Sequence, residues 1–183
     1  RWPSLRQSFI LVRTPRNNII ASDGLSDPFD DMESNSENAK YNGFGLEFFA
    51  YILEDISTLE DAKGSLAFNM VNSMSQFAAS HGNIIGVLND LEYITTELQI
   101  PAPKEWTNEQ GRVGVILGLS SEQVPSTIEL PIEPIRVVNI KLLTLKELAY
   151  AVKNEASGRK EIAHRLREQG NTTISLFDRE SVI

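Results

Sequence analysis

The stretch Gly43-Phe44-Gly45-Leu46-Glu47-Phe48-Phe49-Ala50-Tyr51-Ile52-Leu53 decides the fold. A strand with one face in water alternates apolar and polar residues. Here aromatic and aliphatic side chains follow one another almost without interruption, which predicts a central strand covered on both faces. Glu47 is its single charge. A carboxylate in such a strand must be paired, hydrogen-bonded or turned to a ligand, because bare burial costs several kcal/mol. Two readings stay open. Glu47 holds an Arg or backbone N–H groups near residues 23–31, or it meets a partner, and the two are compatible if the acids hold a binding loop in shape.

On the N-terminal side, Ser8–Thr14 (SFILVRT) and Asn18–Ser22 (NIIAS) are short apolar runs around a Pro15-Arg16-Asn17 turn, a hairpin pattern. Residues 23–42 are polar and read as a loop. On the other side, Ser65–Ser80 is the clearest helix. Leu66, Met70, Met74 and Phe77 form one stripe, and Gly82 stands where a C-terminal cap belongs. Ile84–Leu88 reads as a short strand, as do Arg112–Leu119 and Ile135–Leu143. Thr144-x-x-Glu147 is a capping box that opens a helix. Gly158 is expected to break that helix, with Lys160–Glu168 continuing as a second one. Thr173–Phe177 reads as a last strand. The order predicts an α+β fold, a mixed and largely antiparallel sheet flanked by helices. It is expected to be one domain over 1–183, with its core at about 8–177 and a tail at 178–183.

Composition excludes much chemistry. Cysteine is absent from the 183 residues, so disulfides, zinc–thiolate sites and cysteine nucleophiles are ruled out. The net charge of −8 disfavours nucleic acid, whose phosphates repel an acidic surface. No apolar run reaches the roughly 18 residues of a membrane span, and no signal-peptide pattern is present, so a cytoplasmic protein without membrane contact is expected. The charge is uneven. Residues 23–61 hold eleven acids against Lys40 alone, whereas residues 1–22 carry four arginines and no acid.

Enzyme motifs fail one by one. Gly24-Leu25-Ser26-Asp27-Pro28 misses the last glycine of a nucleophile elbow. Neither a phosphate-binding Walker loop nor an H-E-x-x-H helix occurs. Gly43-Phe44-Gly45 begins like a dinucleotide loop but enters a strand. His81 and His164 are the two imidazoles, and both read as structural or solvated. Asp23, Asp27, Asp30 and Asp31 could bind Mg²⁺ or Ca²⁺, which gives the alternative reading of a metal-dependent hydrolase. Their spacing does not match an EF-hand loop. Turn formation, with the carboxylates accepting neighbouring N–H groups, uses them more economically. Arg159, Lys160, Arg165 and Arg167, a basic cluster on the last helix, could contact nucleic acid, the weakest of the three readings given the net acidity.

Three segments in order resemble the suppressor of fused family. Ser22-Asp23-Gly24-Leu25-Ser26-Asp27 is similar to its S-x-G-L/M-S-D signature. Asn42-Gly43-Phe44-Gly45-Leu46-Glu47-Phe48 is similar to its G-F/Y-G-x-E-L/F strand. Leu142-Leu143-Thr144-Leu145-Lys146-Glu147-Leu148 resembles its strand-to-helix junction. The likeness spans residues 17–168. It implies a domain similar to the N-terminal domain of that family, one that binds protein, lacks catalytic activity and needs no cofactor. In the animal member two domains clasp a transcription-factor peptide as an added strand, whereas 183 residues hold only one. Matching positions place Asp27 and Glu47 in the partner-binding region, with Asp23, Asp30 and Asp31 beside them. Stand-alone members of this size resemble bacterial immunity proteins, which neutralise a cognate toxin. A basic toxin suits the acidic block.

Overall fold

The computed structural model describes residues 7–15, 17–27, 43–53, 55–131, 133–170 and 172–183. The central stretch forms β3 (Leu46–Ile52), and every one of its residues is buried. It lies between β2 (Asn18–Asp23), antiparallel, and β7 (Ile135–Leu143), parallel. β1 (Ser8–Arg13) completes the expected hairpin with β2. On the far side of β7 come β5 (Val113–Leu117) and β4 (Ile94–Leu98), both antiparallel. The sheet order is therefore β1-β2-β3-β7-β5-β4, and the two-residue β6 (Thr127–Ile128) also pairs β7. With helices on both faces, this is an α+β fold around a mixed, mostly antiparallel sheet.

Each face has its own cover. Phe48, Ala50, Val138, Ile140, Val115 and Leu117 pack under α2 (Leu66–His81) through Met70, Val71 and Met74. On the opposite face Ile116 and Leu143 meet α4 (Leu145–Glu168) through Ala151, Ile162 and Leu166. Phe49 and Tyr51 are covered there by Val124 and Ile174. That double burial explains the unbroken apolar run of β3. Ser65 caps α2 by accepting from the Phe68 N–H, and Gly82 ends it at φ 77°.

Several expectations change. Ile84–Leu88 is not a strand but most of α3 (Ile84–Leu91). Asn83 starts it by accepting the Gly86 N–H at 3.2 Å, and Ile84 and Leu88 are buried one turn apart. A five-residue apolar run carries too few periods to tell strand from helix, so the cap decides. The helix α1 (Leu59–Gly64), opened by a Thr58–Asp61 capping box, the strand β4, the two-residue β6 and a 3-10 turn at Lys104–Trp106 add to the expected set. Thr144 and Glu147 do form their capping box. The break in α4 falls at Glu155 (φ 49°) rather than at Gly158. Gly158 is instead a close contact, since a Cβ there would lie 2.9 Å from the Tyr150 carbonyl oxygen. Thr173–Phe177 contributes only a bridge, Ile174 beside Tyr51.

Residues 178–183, expected as a tail, close the α4 side. The Arg179 guanidinium donates to both oxygens of the fully buried Glu147 and, at 2.9 Å, to the Leu142 carbonyl. The Val182 N–H adds a bond to Glu147 at 2.9 Å. Burial opposes the charge on Glu147, but the Arg179 hydrogen bonds and charge outweigh it and hold its pKa below the usual value. Next to this pair Lys141, fully buried, donates to the Ile174 carbonyl.

Burial, reinforced by the Arg179 charge, lowers the Lys141 pKa from 10.5 to about 7. Between those values the unfolded chain binds the additional proton, so stability rises with pH in that window. Denaturant titrations from pH 7 to pH 9 should show an increase of up to about 1.4 kcal/mol per pH unit from this group. Lys141→Met should abolish that increase and be the more stable protein at pH 7. A variant with the same pH slope as the parent would refute the assignment.

Candidate functional site

The two signature segments meet at one carboxylate. The chain leaves β2 at Asp23 and turns through Gly24, Leu25 and Ser26 over the start of β3. Glu47 accepts hydrogen bonds from the Ser22 hydroxyl at 2.5 Å, the Gly24 N–H at 3.0 Å, the Ser26 N–H at 2.8 Å and the Ser26 hydroxyl at 2.7 Å. Ser22 in turn accepts the Phe48 N–H at 2.9 Å. Glu47 is 8% exposed, and no cation pairs with it among the described residues. Four donors thus replace the water that a buried carboxylate loses, and charge-assisted bonds of this kind are stronger than neutral ones. Within the chain, the partners of Glu47 are backbone N–H groups and serine hydroxyls rather than an arginine.

The other side of the turn is fixed by backbone. Phe44 donates its N–H to the Leu25 carbonyl at 2.8 Å, and the Leu25 side chain is buried. Gly43 lies so close to the turn that a Cβ would sit 2.3 Å from the Leu25 carbonyl oxygen and 2.4 Å from that of Asp27. Its φ of 53° also favours glycine. The spacing of the two motifs therefore has a mechanical meaning: the first supplies donors, and the second supplies an acceptor and a glycine seat.

Asp23 and Asp27 are both exposed on the rim of this turn. Asp30 and Asp31 lie outside the described residues. Among the described residues no group of three or more His, Asp or Glu side chains is placed to hold a metal ion. His81 is exposed, stacks on Phe77 at 4.0 Å and has Nδ1 2.9 Å from the Phe77 carbonyl. His164 is exposed and lies 3.4 Å from Glu168. In the basic cluster, Lys160 pairs with Glu92 at 3.2 Å and Arg165 with Glu161 at 2.6 Å, so those two charges are locally matched. No helix among the described residues is long and apolar enough to cross a membrane. Ser22 and Ser26, the hydroxyl donors to Glu47, are site residues beyond the acids that the motifs mark. Their sequence signal is faint, two serines flanking a turn in the motif that precedes the odd acid.

No family model and no curated protein sequence matches this chain. Among solved structures its fold is similar to a chain of "the Sufu-Fu complex crystal structure", with a TM-score of 0.60 and 13% sequence identity. The alignment covers 96% of this chain and 76% of that one. The likeness is one of fold, a suppressor of fused-like arrangement of sheet and helices.

Glu47→Gln should destabilise the protein by about 2–3 kcal/mol, because an amide offers one acceptor where the carboxylate offers two and turns an N–H towards other donors. Hydrogen exchange should accelerate at the Gly24 and Ser26 amides well before it changes in α2. Unaltered protection at both amides would show that Glu47 does not hold the turn.

Proposed function

We propose that this chain is a non-enzymatic protein-binding domain of the suppressor of fused type, with the Ser22–Asp27 turn as its contact region. The observation that carries this reading is the turn held by Glu47, which fixes an exposed acidic rim of Asp23 and Asp27. A preorganised rim binds without first losing loop entropy. The charge of the surrounding segment supports a basic partner, since residues 23–61 hold eleven acids against one lysine. The fold likeness to a protein solved in complex with a partner points the same way. The role that we assign is bacterial and cytoplasmic, an immunity protein that neutralises a basic toxin. Asp30 and Asp31 extend the acidic contact in sequence.

The test uses the purified chain and an Asp23→Lys/Asp27→Lys variant whose fold is checked by circular dichroism. The parent should retain a basic protein from an extract of the source organism, and more weakly as salt rises. The variant should retain it at least about tenfold less, the equivalent of 1.4 kcal/mol. Expressed alone, the retained protein should arrest growth, and co-expression of the parent chain should restore it. Equal retention by both chains would remove the turn from the interface. Retention without growth arrest would remove the immunity role and leave the binding domain.

A further inference from the structure

Where β3 ends, away from Glu47, a polar pocket of about 390 Å³ opens, within the size range of small-molecule sites. Asn17, Tyr51, the 120–123 segment, Arg167 at the end of α4 and the 172–174 segment line it. Tyr51 reaches it from the core and is 1% exposed. Burial, opposed by the Ser121 hydrogen bond, raises the pKa of its phenol, so the proton stays on the oxygen. The hydrogen bonds around Ser121 settle where that proton is free to go. Ser121 Oγ accepts the Gln123 N–H at 3.1 Å and the Val124 N–H at 3.2 Å. A hydroxyl oxygen has two lone pairs, and both are then taken. The Ser121 O–H is therefore the donor in its 2.9 Å contact with Tyr51 Oη. The Tyr51 O–H is left without an acceptor among the described residues. Asn17, 8% exposed, is in a similar state. The Thr14 hydroxyl donates to its Oδ1 at 2.8 Å, and among the described residues nothing accepts from its Nδ2.

A buried donor without an acceptor costs about 1–3 kcal/mol, so two in one wall call for a ligand that brings acceptors. Water can satisfy each donor singly, but the charges of the wall favour an anion. Among the described residues Arg167 is its one cation, exposed, beside Tyr93 and in no ion pair. Glu92, at longer range, is already bonded to Lys160. A guanidinium forks onto a carboxylate through two parallel charge-assisted bonds. The exposed Glu122 is the one carboxylate of the wall and opposes a second negative charge, which disfavours a phosphate. We propose that this pocket binds a small monocarboxylate, whose oxygens accept from Tyr51, Asn17 and Arg167. The site goes beyond the proposed function and shares no residue with the Ser22–Asp27 turn.

The probes are sodium propionate, its neutral counterpart propionamide and inorganic phosphate. Each is titrated at constant ionic strength and read by backbone and side-chain chemical shifts. Propionate should move the Asn17 side-chain amide and the Tyr51 ring, and bind at least about tenfold more tightly than propionamide. Phosphate should bind more weakly than propionate. Arg167→Gln should weaken propionate binding at least about tenfold, and Tyr51→Phe, which keeps the ring, at least about fivefold. Glu122 is exposed, so Glu122→Gln leaves the fold alone and should tighten binding. Asp23→Lys/Asp27→Lys should bind propionate like the parent. No shift at about 100 mM propionate, or equal binding of propionamide, would overturn the proposal. So would tighter binding of phosphate, or parental affinity in both Arg167→Gln and Glu122→Gln.

Discussion

β3 is buried on both faces along its whole length and β7 along most of its own, and this exclusion of water organises the rest of the molecule. β3 and β7 run side by side under α2 on one face and under α4 and the 118–124 and 172–177 segments on the other. Any charged side chain buried in or beside them must bring its own partners, because solvent cannot supply them. Three such groups stand out among the described residues, and each is satisfied differently. Glu47 uses hydroxyls and backbone N–H groups, Glu147 uses a guanidinium, and Lys141 uses a carbonyl together with a lowered pKa.

These solutions shape the surface. To satisfy Glu47 the chain after β2 must fold back over β3, which fixes the turn and aims Asp23 and Asp27 outward. To satisfy Glu147 the last residues must return to the N-terminus of α4, so Arg179 and Val182 become part of the core. Both are cases in which a buried charge specifies chain path more than it adds stability, the role best supported for such groups. At the margin of the sheet the constraint relaxes. β1 is buried against α2 only in part, and its edge keeps apolar side chains exposed.

Much of this is legible locally. The stripe from Leu66 to Phe77 gives α2 its face, and Thr144 and Glu147 mark the start of α4 by residue type and spacing alone. The run from Leu46 to Ile52 signals its double burial by its lack of alternation. What misleads is short, or is compensated by distant residues. Ile84–Leu88 is too brief for its period to distinguish helix from strand. Residues 178–183 look polar and tail-like because the partner of Arg179 lies 32 positions away. IRVVNIKLL holds two cations, and only the fold decides that Arg136 stays half-exposed while Lys141 is fully buried. The site divides in the same way. The odd glutamate, the acidic turn and backbone donors near residues 23–31 are visible in the sequence, but the Ser22 and Ser26 hydroxyl donors are only faintly so.

Local patterns settle that β3 is central and where the main helices begin; that the two motifs belong together is implied by the family resemblance. The first two depend on side-chain periodicity and capping, which act over a few residues. Tertiary packing settles the rest: Glu47 commits its oxygens to the chain itself, and Asp23 and Asp27 are left at the rim. Those facts depend on which distant donors and faces come within about 3 Å of one another. Chain folding sets that distance, and local pattern does not encode it.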